Sequence, residues 1–266
     1  MSRLPTFFIP HGGGPCFFMD PPAGWPPTSW DRMAAFLCEL DALIGRRPRA
    51  VIIVSGHWEA RQPTVNNGVS PPLLFDYSGF PAHTYELTWP APGAPDVADE
   101  IIELLEGAGF VTNTDNRRGY DHGVFIPFKL VYPDADVPVV QLSLLASRDP
   151  VEHLTMGRAL ASLRDRNILI VGSGMSYHNI PNFFSGRGND AATAFDAWLG
   201  DVIIDPGTRE VNLANWQTAP AARLAHPEAE HPLPLLVAAG AGTGEVGVRI
   251  YHDRIVGKPF SAFQFG

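Results

Sequence analysis

Short apolar runs dense in β-branched residues alternate along this chain with longer stretches of helical period, and that alternation most restricts the folds open to it. Strand-like runs lie near Thr6–Pro10, Ala50–Ser55, Val137–Ser143 and Ile168–Val171, with Val246–Tyr251 and Ser261–Phe265 at the end. Between them, "SWDRMAAFLCELDALIG" predicts a helix with Ser29 as N-cap and Gly45 as its stop. "PDVADEIIELLEGAG" opens on proline and acids and closes on glycine, the polarity that complements a helix dipole. "DPVEHLTMGRALASLRD" and "NDAATAFDAWLGDVI" predict two more helices. Strands and helices in alternation imply an α/β fold, with an open sheet, mixed or mostly parallel, and helices on both faces. No linker, repeat or charge run divides the chain, so residues 1–266 read as a single domain.

Composition narrows the function classes. The net charge is −9, and no basic run exists to neutralise phosphates, which argues against a nucleic-acid partner. The two cysteines, Cys16 and Cys38, form no CxxC pair and read as small apolar filler. No apolar run approaches the ~20 residues that span a bilayer, and the first residues lack the features of an export signal. The expectation is a cytoplasmic protein with no membrane partner.

Three of the strand-like runs deliver a histidine at the same end: "TFFIPHGGGP" at His11, "AVIIVSGHWE" at His57 and "ILIVGSGMSYHN" at His178. In an open α/β sheet, ligands bind outside the carboxyl ends of the strands. Packing alone gives no reason to repeat a histidine three times at that edge. His122 in "RRGYDHGVFIPF", and His226, Glu230 and His231 in "LAHPEAEHPLPLL", extend the set. A pair of Glu230 and His231 capping a buried helix is the structural alternative. Fe(II) and Zn(II) take two or three imidazoles with at most one carboxylate and leave positions open, and this chain supplies such a set without cysteines. His83, His153 and His252 have no such setting, and His153 reads as a surface residue of an amphipathic helix. "HGGGP" and "GSGMS" lack a P-loop lysine, and no G-x-S-x-G elbow is present.

"IPHGGGP", "VSGHWE", "FDYSGFPAHTYEL", "WPAPGAP", "GYDHGVFIPFKLVYPDADVPVVQLSL", "VGSGMSYHN" and "HPEAEHPLPLL" resemble, in this order, the class III extradiol ring-cleavage dioxygenases, and more closely their 4,5-DOPA extradiol dioxygenase branch. The resemblance implies an α/β fold with a central, mostly mixed sheet flanked by helices, and insertion of both atoms of O2 into a catechol at a non-haem Fe(II), with Zn(II) also carried by some members. It implies His11, His57 and His231 as metal ligands, with Glu230 as the rival for third ligand. It assigns His178 as acid–base catalyst, able to join the metal when zinc is bound, and His122 as a second catalytic histidine. Tyr177 before His178, and "HGGGP" where "HGSP" is commoner, depart from the family pattern at the substrate pocket. Tyr177, Trp58 and Phe80 are candidates either for that pocket or for the core. Two other functions fit the same histidines less fully: a zinc-dependent hydrolase or deacetylase, and a non-enzymatic binding module.

Overall fold

Eight strands form one mixed sheet in the order β4-β3-β5-β2-β6-β1-β8-β7 in a computed structural model that describes residues 3–184 and 186–266. In chain order the elements are β1 (Thr6–Pro10), α1 (Asp31–Ile44), β2 (Ala50–Ala60), β3 (Thr64–Asn66), α2 (Pro95–Gly107) and β4 (Asn113–Asp115). Then come α3 (His122–Val131), β5 (Val139–Leu145), α4 (Pro150–Leu160), β6 (Ile168–Gly174), α5 (Ile180–Phe184) and α6 (Asn189–Ile204). The chain closes with α7 (Arg209–Ala214), α8 (Ala222–Ala225), α9 (Leu233–Ala241), β7 (Gly247–Ile255) and β8 (Lys258–Phe265).

The centre of the sheet is parallel: β6 pairs in parallel with both β1 and β2, and β2 with β5. These strands are covered on both faces, which is why they read as near-continuous apolar runs rather than alternating ones. Every residue of β1, β5 and β6 is buried. Antiparallel β8 closes one side against β1, with β7 as the edge strand beyond it. The helix α9, "LPLLVAAGA", is buried on all sides and packs on α4 and β6. An apolar helix of this kind is an interior element rather than an amphipathic cover.

Several local expectations need correction. Ser29 does not cap α1: its hydroxyl donates to the Pro26 carbonyl at 2.6 Å, and the helix starts two residues later. His153 is not at the surface. It is fully buried, its Nε2 accepting the Leu145 N–H at 3.1 Å and its Nδ1 donating to the Asp149 carbonyl at 2.7 Å. Burial therefore pushes its pKa down. Cys16 is buried as expected, but Cys38 is exposed and fills nothing. The helix expected to run to Asp165 ends at Leu160 and continues as a 3₁₀ turn through Arg166. β2 runs on to Ala60, so His57 lies within the strand instead of after it, in the stretch where pairing with β5 slips between Val54 and Glu59. Such a bulge re-aims side chains.

Candidate metal centre and active site

The parallel strands deliver His11, His57 and His178 to one end of the sheet, as their sequence positions predict. His231 arrives there by a different route. One face of the β6 C-terminus is crowded: a Cβ on Gly174 would lie 2.2 Å from the His231 carbonyl oxygen, and one on Gly172 would lie 2.1 Å from that of Pro234. Only glycine admits this approach. The segment leading into α9 thereby lies directly on β6, with the Met175 N–H donating to the His231 carbonyl at 3.3 Å.

Ligand atoms of His11, His57 and His231 lie within 4.8 Å of one another. The His11 and His57 Nε2 atoms are 3.1 Å apart, and the His231 Nε2 is buried with no hydrogen-bond partner. Tautomers explain the arrangement. Pro127 inside α3 has no N–H to give the Gly123 carbonyl, which instead accepts from the Ser173 hydroxyl. With its hydrogen so used, Ser173 Oγ accepts from His11 Nδ1 at 3.2 Å, leaving the lone pair on His11 Nε2. His231 Nδ1 donates to Glu230 Oε1 at 3.0 Å, which likewise leaves Nε2 as the free base. Burial, and after it the neighbouring imidazoles, holds His11 and His231 well below the usual histidine range. His57 is pushed down to about 3, first by burial and then by His122, against an opposing pull from Asp76. Neutral imidazoles whose ring nitrogens converge, that of His231 with no partner at all, are what a divalent cation requires. The donor set therefore fits a metal ion.

Glu230 is behind His231, not among the converging nitrogens. Its Oε1 also lies 3.4 Å from His178 Nδ1, and Arg148 sits on its outer side. Burial acts to raise the Glu230 pKa, but His178 and Arg148 outweigh it and hold the carboxylate low. The ring of His178 stacks on that of His231 with centroids 3.3 Å apart, and its backbone N–H is pinned to the Ala225 carbonyl at 3.0 Å. A second cluster joins His57, Asp76 and His122. Asp76 Oδ1 accepts the backbone N–H of His122 at 2.9 Å and its Nδ1–H at 2.8 Å, so Nε2 is the nitrogen left for substrate. Burial works to raise the Asp76 pKa, yet these bonds from His122 bring it below the ordinary value.

All five histidines line one cavity of about 310 Å³. Tyr177 and Phe80 belong to its wall, whereas Trp58 is buried elsewhere beneath the Arg118 guanidinium, 4.6 Å from its ring centroid. His226 is fully buried against Phe195 and Trp216 and takes no part. The helix-capping alternative for Glu230 and His231 does not hold, since α9 has no side-chain cap and the two side chains bond to each other instead.

Supporting residues were invisible from the sequence. Asp121 is wholly buried, accepting from Ser55 at 2.7 Å, from Arg118 at 3.2 Å and from Gln141. Arg118 also donates to the His57 carbonyl at 3.1 Å, which fixes the bulged backbone. Asp76 lies within the family-like string "FDYSGFPAHTYEL", and its place there was the available signal.

Residues 6–263 match the family described as the catalytic LigB subunit of aromatic ring-opening dioxygenase. A 4,5-DOPA dioxygenase extradiol from Beta vulgaris is 39% identical over 255 residues, covering 93% of this chain and 90% of that one. Dioxygenase tasH from Hapsidospora irregularis is 39% identical over 285 residues, covering 100% of this chain and 86% of that one. The crystal structure of an uncharacterized protein from Escherichia coli K12 superposes with a TM-score of 0.78 at 29% identity, covering 99% of this chain and all of the other.

Proposed function

The chain belongs to the LigB family of aromatic ring-opening dioxygenases and is an extradiol ring-cleaving enzyme, and on that premise we propose that His11, His57 and His231 hold one non-haem Fe(II) while His178 and His122 move the protons. The observation that carries the ligand choice is the buried, partnerless Nε2 of His231 facing His11 and His57. Zinc fits the same nitrogens and is expected in protein isolated without added iron. Glu230 serves as the acceptor that fixes the tautomer of His231, a support that typically sharpens metal affinity.

When bound, Fe(II) supplies the O2 chemistry and open coordination positions for the two oxygens of a catechol. The protein's part is to hold and protonate the substrate. His178, beside His231 and leaning on Glu230, accepts a proton from a catechol hydroxyl. His122, held by Asp76 through its Nδ1–H, presents the Nε2 lone pair to the second catechol hydroxyl and, once protonated there, donates to the substrate oxygens. An imidazole suits both tasks because it titrates near ~6.5 when unperturbed. The apolar wall excludes water around the reacting ring. Holding substrate, donor and acceptor in one small cavity removes much of the entropy cost of their meeting. Cytoplasmic residence belongs to the same proposal, supported by the exposed, unpaired thiol of Cys38. Among the described residues no helix is long and apolar enough to cross a membrane.

The test is O2 uptake by anaerobically Fe(II)-loaded protein on addition of catechol and oxygen, followed with the rise of a yellow ring-opened semialdehyde. His178→Ala is expected to keep its metal and lose roughly 10²–10⁴ in turnover, the usual cost of removing a general base. Full activity in that variant would remove His178 from the reaction, and loss of iron would make it a ligand.

A further inference from the structure

Away from the histidines the cavity lining is almost entirely apolar. Met19, Pro21, Pro22, Trp25, Phe183 and Phe184 contribute to it. Trp25 is the hub, its ring centroid 5.2 Å from Phe183 and 5.7 Å from Phe184. Phe184 is 60% exposed, so apolar surface continues out to the mouth. Among the described residues no lysine or arginine lines the cavity, and its one carboxylate is the exposed Asp20. Lys258 lies behind the wall: fully buried, it donates to Asn189 at 3.0 Å, with its Nζ 6.0 and 5.7 Å from the Tyr177 and Phe183 ring centroids.

We propose that this site selects catechols bearing an uncharged apolar substituent, an alkyl or aryl group, over amino-acid and other carboxylated catechols; the proposal rests on the ring-cleaving reading of the same site. The diol of any catechol meets the histidine end, so selection falls to the substituent. An apolar group there leaves water for aromatic surface. A carboxylate in the same position would lose its hydration with no cation to receive it, beside Asp20 in a chain of net charge −9. The cavity volume, about 310 Å³, is at the small end of ligand sites, which suits one ring with a short chain or a second ring.

The experiment titrates the anaerobic, metal-loaded protein with 4-methyl-, 4-ethyl-, 4-propyl- and 4-butylcatechol, with L-DOPA and with 3,4-dihydroxyphenylpropionate, reading tryptophan fluorescence. Trp25 and Trp30 line the cavity and report occupancy. Affinity is expected to rise about fourfold per methylene, the usual hydrophobic increment expressed as a ratio. Both carboxylated ligands are expected to bind at least about tenfold more weakly than 4-propylcatechol. Phe184→Arg, at a position largely exposed at the mouth, is expected to narrow that gap. A flat alkyl series, or L-DOPA binding as tightly as 4-propylcatechol, overturns the proposal. Turnover separates the two readings: a steep alkyl series with no O2 uptake supports the apolar site and overturns ring cleavage, whereas tight binding and cleavage of L-DOPA does the reverse.

Discussion

Replacing Asp76 with asparagine isolates the charge that stands behind His122. In the native protein one carboxylate oxygen accepts both the backbone N–H of His122 at 2.9 Å and its Nδ1–H at 2.8 Å. Asparagine can direct its carbonyl oxygen to the same two donors, so the ring keeps its tautomer and position. What disappears is the negative charge that favours an imidazolium during proton transfer. A hydrogen bond to a charged group contributes about 1.5–3 kcal/mol and a neutral one about 0.5–1.5 kcal/mol. The difference, about 1–1.5 kcal/mol, corresponds to roughly tenfold in turnover. Asp76→Ala removes orientation as well as charge and frees a donor at the start of α3, so its loss is expected to reach roughly 10²–10⁴-fold. Steady-state O2 uptake gives the rates, and elemental analysis of the same preparations gives metal content, expected to match wild type in both variants. Loss of metal from Asp76→Asn would refute the reasoning, because it would make His57, Asp76 and His122 the ligand set. Unchanged turnover in Asp76→Ala would refute the role given to His122.

Three further outcomes follow from the geometry. Glu230→Gln should weaken metal binding by about 10–100-fold without abolishing it, measured by chelator competition, since Glu230 orients His231 rather than ligating; complete loss would make it a ligand. Gly174→Ala forces a Cβ to within 2.2 Å of the His231 carbonyl, so α9 must shift. Overpacking of this kind costs about 1–3 kcal/mol, and denaturant unfolding should show it together with weakened metal binding. His226, pushed down to about 3 by burial, stays neutral in the folded protein while the unfolded chain takes up a proton below ~6.5. Its contribution to stability is therefore complete at neutral pH and is lost as pH falls through that window. The stability lost between pH 7 and pH 5 should be about 2 kcal/mol smaller in His226→Gln than in wild type. Equal losses would contradict it.

The strands that carry His11, His57 and His178 were legible because buried parallel strands leave a plain apolar signature, and a polar residue at its end stands out. The sheet class followed from the same runs. β3 and β4, three residues each, left no pattern long enough to read. The end of β2 was misplaced because the bulge at His57 continues the strand in a segment whose polar residues look like a loop. His153 deceived for a physical reason: a histidine on a helix pattern reads as solvated, yet here both ring nitrogens have backbone partners that permit burial. His231 was found through family likeness, and its position depends on Gly172 and Gly174, which sequence alone marks only as a turn. The chain from Pro127 to Gly123, Ser173 and His11 depends on contacts between residues far apart in sequence, and no local signal encodes it.

The identity of the ligands is the central claim, and anomalous diffraction from crystals of Fe(II)-loaded protein, collected on either side of the iron edge, tests it most directly. The expected result is a single iron peak per chain within bonding distance of the Nε2 atoms of His11, His57 and His231, with Glu230 still accepting from His231 Nδ1. A peak bonded to Glu230, or one seated among His57, Asp76 and His122, would contradict it.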